Sequence, residues 1–114
     1  MKFDELTIGE ARELARMFGG TPALTTDPGP WRIGEKYLIR TVTMILTGRL
    51  VEVYDQELVI EDACWIADTE RWADTLRTGA VREAEPYPDG RVIVGRGALI
   101  DAAQWGHALP RTQK

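Results

Sequence analysis

Between positions 36 and 61 the chain permits only one kind of strand connection. Residues 36–46 (KYLIRTVTMIL), 49–54 (RLVEVY) and 57–61 (ELVIE) are dense in β-branched and aromatic side chains. Only Thr47-Gly48 and Asp55-Gln56 separate them. Parallel strands need crossovers of a dozen or more residues, so strands joined this tightly form an antiparallel meander. On the first strand Leu38, Val42, Met44 and Leu46 alternate with Tyr37, Ile39, Thr41, Thr43 and Ile45. Both faces are apolar, which predicts a central strand covered on both sides, in part by an assembly partner. Val42, Val51, Val53, Ile60, Trp65 and Trp72 are the predicted core.

The flanks add helices and a proline-rich loop. Thr7-Ile8-Gly9-Glu10 matches a capping box, Ile8, Ala11, Leu14, Ala15 and Phe18 recur at helical spacing, and Gly19-Gly20 supplies a stop, predicting a helix over 8–18. Residues 21–34 carry Pro22, Pro28, Gly29 and Pro30, the chemistry of a long loop or of an arm reaching a neighbour. Residues 62–68 (DACWIAD) read as a link to a second helix, capped by Asp68 or Thr69, presenting Trp72, Ala73 and Leu76, and stopped at Thr78-Gly79. Residues 83–90 are turn-rich, whereas 91–94 and 97–101 are β-like around a bulge or bend at Gly95-Arg96-Gly97.

The 114 residues therefore read as one α+β, β-rich domain, long enough to bury a core without metal or disulfide staples. The expected architecture is an antiparallel meander or small barrel/sandwich with an N-terminal helix and a second short helix. Its parts are an N-terminal helix region (1–20), an arm (21–34), a β-rich core with a helix near 69–78 (35–105) and a tail (106–114).

The inventory of chemical groups excludes more than it offers. Fourteen Lys+Arg against eighteen Asp+Glu give a net charge of −4. Residues 50–74 hold eight acids and a single base, Arg71. Nucleic-acid affinity rests on a basic surface, so no nucleic-acid partner is expected. No apolar run approaches a membrane span and the first residues lack a signal peptide's apolar segment, so no membrane partner is expected either.

The chain has no Ser and no Asn, which rules out a serine nucleophile and an N-glycosylation acceptor. Cys64 is the sole cysteine and His107 the sole histidine, too few for a zinc site or an intrachain disulfide. A Cys64–His107 nucleophile pair is formally available, but Ala63 and Trp65 give the thiol the apolar flanks of a core residue. Gly95-Arg96-Gly97 lacks the third small residue of a dinucleotide fingerprint, because Ile100 stands there.

Glu57, Glu61, Asp62 and Asp68 are the best acid/base or cation candidates. Glu57 and Glu61 sit about 13 Å apart along a strand. The spacing of Asp62 and Asp68 matches no calcium loop, and a solvated acidic face accounts for the run. No catalytic residue, metal or cofactor is expected.

Four tryptophans remain to be placed. Trp65 and Trp72 read as core, whereas Trp31 and Trp105 lie in loop and tail, either tucked onto the β-rich core or offered to a partner. With Pro28, Pro30 and Arg96 they form the candidate interface, since Trp and Arg dominate interface hot spots.

Residues 39–43 (IRTVT), 47–49 (TGR), 58–68 (LVIEDACWIAD), 85–88 (EPYP) and 94–98 (VGRGA) together resemble a family of small hypothetical proteins of tailed bacteriophages and prophages. The resemblance covers about residues 34–105, and its most specific part is the EDAxWIAD stretch, with Cys64 in the variable place. It implies a phage setting and carries no activity and no catalytic residue.

The resulting expectation is a non-enzymatic virion component assembled in the host cytoplasm, a head decoration or cement protein. Its partners would be the phage major capsid protein or copies of itself, in an oligomeric or assembly-bound state. The alternative is an intracellular phage accessory protein of the defence-inhibitor type. It would bind a small ligand or host factor through a concave site drawn from Arg40, Arg49, Arg96 and Trp31.

Overall fold

A computed structural model describes residues 29–89 and 91–114. The helix expected over 8–18 and the candidate contact Pro28 lie outside the described residues. Among the described residues there are six strands: β1 (Lys36–Thr41), β2 (Ile45–Val53), β3 (Glu57–Thr69), β4 (Val81–Pro86), β5 (Arg91–Gly95) and β6 (Leu99–Gln104). A helix, α1 (Trp72–Thr78), joins β3 to β4, and a 3-10 turn (Arg96–Ala98) joins β5 to β6. Every pairing is antiparallel, in the order β4-β3-β2-β1-β6 with β5 also on β3. The β-rich antiparallel expectation holds, and the sheet is not a closed barrel.

The strand boundaries correct the expected ones. The chain reverses at Val42-Thr43, inside the β-branched run, because the Thr41 hydroxyl takes over the turn. Its Oγ1 accepts from Met44 N–H at 3.0 Å, and Thr41 N–H donates to Met44 O at 2.8 Å. Thr47-Gly48, the expected turn, instead lies in the middle of β2.

β3 does not stop at Glu61. Arg49 opposes Glu61 and Thr47 opposes Cys64, so β3 carries one extra residue at this point. Asp62 absorbs it with φ 53°, a left-handed conformation that Asp tolerates. Residues 62–68 therefore continue the strand rather than link to a helix. Residues 81–86 pair with this extension as β4, although 83–90 were expected to be turn-rich. The helix is shorter than predicted and is preceded by Arg71, with neither Asp68 nor Thr69 as its cap.

The topology forces the sheet to curl. In a flat sheet of this order β5 and β6 would be four strand spacings apart, about 19 Å. The chain from Gly95 to Leu99 reaches about 14 Å at most. The 3-10 turn is held at both ends: Arg96 N–H donates to Gln56 O and Val42 N–H to Ala98 O, each at 2.9 Å. Register shifts within β1–β6, β2–β3 and β3–β4 supply the bends.

Inside the curl Tyr37, Ile39, Leu46, Leu50, Val53, Leu58, Ile60, Ala63 and Val94 form the core. The opposite face is also covered. Leu38, Thr47 and Cys64 lie in register across β1, β2 and β3 and are all fully buried.

The C-terminal segment runs along this side of the sheet, tied to β1, α1, β3 and β4. Trp105 N–H donates to Lys36 O at 2.8 Å, and Lys36 Nζ to His107 O at 2.5 Å. The His107 ring meets Leu76 O of α1 at 2.8 Å. Arg111 pairs with Asp62, and Lys114 exchanges two backbone hydrogen bonds with Ala84 of β4. The expected tail is thus a strap crossing the sheet from β1 to β4.

Of the predicted core, Val53 and Ile60 are buried, while Val51 and Trp72 are half-buried. Val42 is 71% exposed because it forms the turn tip, and Trp65 is 40% exposed at the rim of the curl.

Candidate functional site

Three exposed apolar side chains, Val42, Trp65 and Ile100, gather where the β1–β2 turn, the extension of β3 and the start of β6 meet, whereas exposed Ile33 and Ile93 lie elsewhere. Trp65 faces the same side as Leu46, its register partner, but lies at the end of the sheet. It lines two adjoining hollows with Met44: one is completed by Glu85, Pro86, Tyr87 and Pro88, the other by Val42 and Ile100 together with the polar Arg40, Thr41 and Thr43. Ile100 is 61% exposed. The result is a band of apolar side chains, edged by Arg40, Thr41, Thr43 and Glu85, built by a hydroxyl-stabilised turn, a bulged strand and a proline-flanked strand end.

The charges beside this band neutralise one another. Arg40 donates through Nε to Asp101 Oδ1 at 2.7 Å and through Nη2 to Oδ2. That hydrogen bonding holds the Asp101 carboxyl below the usual carboxylate range. The same guanidinium lies 4.7 Å above the centre of the Trp72 ring. Trp72 is therefore a half-covered platform for a cation rather than a central core residue.

The candidate contact residues do not form one surface. Trp31 stands edge-on to Tyr37 with ring centres 5.1 Å apart and packs against the core, sharing an open hollow with Pro30, Ala102 and Gln104. Trp105 is 2% exposed and donates its Nε1–H to Ala108 O at 3.1 Å, which makes it the tucked alternative. Arg96 donates to Tyr54 O at 2.7 Å and so clamps the β2–β3 hairpin. Arg49 donates to Gly34 O at 3.0 Å. Arg40, Arg49 and Arg96 thus serve three different structural contacts and do not converge on Trp31.

The remaining candidates are equally dispersed. Cys64 is buried, and desolvation pushes its thiol pKa up, the reverse of nucleophile activation. The His107 ring is engaged by Leu76 O and stands edge-on to Trp105. Glu61 lies 4.0 Å from Arg91, and Asp62 pairs with Arg111. Among the described residues no three His, Cys, Asp or Glu side chains are grouped to hold a metal ion, and no helix is long and apolar enough to cross a membrane.

Sequence reasoning missed Val42, Met44, Trp65 and Ile100 as surface residues. The available signal was Thr41-Val42-Thr43, which has the hydroxyls of a turn within a strand-like run. Compared with known proteins, the chain matches no family model, no curated protein and no solved structure.

Proposed function

We propose that this chain is a non-enzymatic assembly protein that works by presenting a fixed apolar surface. Within that class it is a phage head decoration or cement protein, docked on the capsid shell. The carrying observation is the band of Val42, Met44, Trp65 and Ile100, whose Val, Trp and Ile are each at least 40% exposed on a hydrogen-bonded sheet. Contiguous exposed apolar surface of this kind marks interaction sites, and a preordered Trp loses little entropy on docking. The phage setting rests on the sequence resemblance over residues 34–105.

Two measurements test the proposal. Proteomics of purified particles should find the chain at the copy number of a shell component; its absence from particles overturns the reading. Trp65→Ala should leave the isolated chain folded and lower its occupancy on shells at least tenfold. Full occupancy by the variant moves the contact elsewhere.

A further inference from the structure

On its core-facing side β6 stays exposed beside the point where the chain enters the described fold. Register partners across an antiparallel pair point to one face, so Gln104 opposite Tyr37 and Ala102 opposite Ile39 face the core. Tyr37 and Ile39 are buried in that core, yet Ala102 and Gln104 are exposed. With Pro30, Trp31 and Tyr37 they line one open hollow.

The entering segment is fixed against this hollow. The Tyr37 hydroxyl accepts from Arg32 N–H at 2.8 Å, and Arg32 Nη1 donates to Gly29 O at 3.0 Å. The Trp31 ring stands edge-on to Tyr37. The preceding sequence, outside the described residues, therefore leaves from the rim of the hollow at Pro30.

That sequence carries an apolar stripe that needs a partner. Ile8, Ala11, Leu14, Ala15 and Phe18 recur at helical spacing, and Glu13 and Arg16 fall on the opposite side of the same pattern. A helix of about eleven residues is marginal in water by itself and gains stability by burying such a stripe. Residues 19–28 separate the stripe from Gly29. A flexible linker of that length spans about 17 Å on average, close to the length of the helix itself, about 16 Å.

We infer that the helix expected over 8–18 folds back on its own chain and seats its apolar stripe in the hollow of Trp31, Tyr37 and Ala102. The tether decides the occupant. It holds the stripe beside this hollow at an effective concentration on the order of millimolar, above what a second copy or a foreign partner supplies in dilute solution. Leu14 and Phe18, at the tethered end of the stripe, supply the contacts to Trp31. The seated helix covers the core-facing side that β6 leaves exposed. This inference does not depend on what the Trp65 band binds.

Hydrogen exchange and hydroxyl-radical footprinting of the full chain test it. At micromolar concentration the amides of residues 8–18 should exchange about tenfold more slowly in wild type than in a Leu14→Asp/Phe18→Asp double variant. The same double variant should raise Trp31 oxidation severalfold and leave Trp65 oxidation unchanged. Ala102→Asp, at an exposed position, should release residues 8–18 with the exchange of β2 and β3 unaltered. If Ala102→Asp disturbs those strands, Gln104→Asp replaces it with the same expected pattern. Free-chain exchange over 8–18 in wild type overturns the inference, as does Trp31 oxidation that is the same in the double variant. Protection of 8–18 that vanishes on dilution also overturns it, by placing the stripe on a second copy.

Discussion

Gly48 and Ile60 compete for one volume across the β2–β3 pair. A Cβ on Gly48 would stand 2.8 Å from Ile60 Cδ1, 3.1 Å from Ile60 Cβ and 3.3 Å from Glu61 O. Two of these three atoms cannot swing away, so an added methyl group must push the strands apart. Gly48→Ala should cost about 1–3 kcal/mol, the usual range for overpacking. Ile60→Val removes Cδ1 and should recover part of that loss in the double variant, so the two changes should be less than additive. Thermal unfolding of the four proteins checks this; a Gly48→Ala chain as stable as wild type contradicts the packing.

The Arg40–Asp101 pair makes a contribution that depends on acidity. Asp101 has a folded-state pKa below its unfolded value, chiefly through the hydrogen bond from Arg40. Stability from such a group is present above the unfolded pKa and is lost as pH falls through the folded one. Asp101→Asn should therefore lower the melting temperature at neutral pH. The gap to wild type should narrow as pH drops below about 4. The pair is exposed, so the gap should also shrink in molar salt. A gap independent of both pH and salt would assign the effect of the substitution to packing.

The sequence made the strand content legible because β-branched density and short connectors are local signals. The second helix was legible near its end, where Gly79 adopts φ 80° after Thr78. The reversal at Val42-Thr43 was hidden, since it depends on the Thr41 hydroxyl and not on Gly or Pro. Asp62 concealed the continuation of β3: an acidic residue after ELVIE resembles a strand end, but here it forms a bulge. Trp65, expected in the core, lies at the rim, and the choice between tucked and offered for Trp105 was open for a similar reason. Burial of Trp105 comes from the strap crossing the sheet, a long-range event that no periodicity encodes.

The different burial of these two rings has a direct energetic consequence. Trp105 is 2% exposed and its Nε1–H is satisfied by Ala108 O, so Trp105→Ala should cost about 3–5 kcal/mol and loosen the strap. Trp65→Ala removes a ring that is already 40% exposed and should cost much less, about 1 kcal/mol. Denaturant unfolding of the two variants separates them. Equal losses would mean that the rim position of Trp65 supports the core as strongly as the strap does.

Thr47 offers the opposite sign. Its side chain is fully buried between Leu38 and Cys64 in register, and its Oγ1 has no hydrogen-bond partner among the described residues. A buried hydroxyl without a partner costs about 1–3 kcal/mol relative to the same group in water. Valine has nearly the same shape and no polar atom, and its β-branching suits a strand. Thr47→Val should therefore stabilise the chain by about 1 kcal/mol.

The adjacent Cys64 provides a second readout. Its thiol is buried and its pKa is raised by desolvation, so reagents should reach it only when the sheet opens. Where opening equilibrates faster than labelling, the labelling rate follows the open population. The same 1 kcal/mol, applied to the opening that exposes Cys64, should slow labelling about fivefold. A Thr47→Val chain that melts earlier than wild type and labels faster would show that the hydroxyl supports the face covered by the strap.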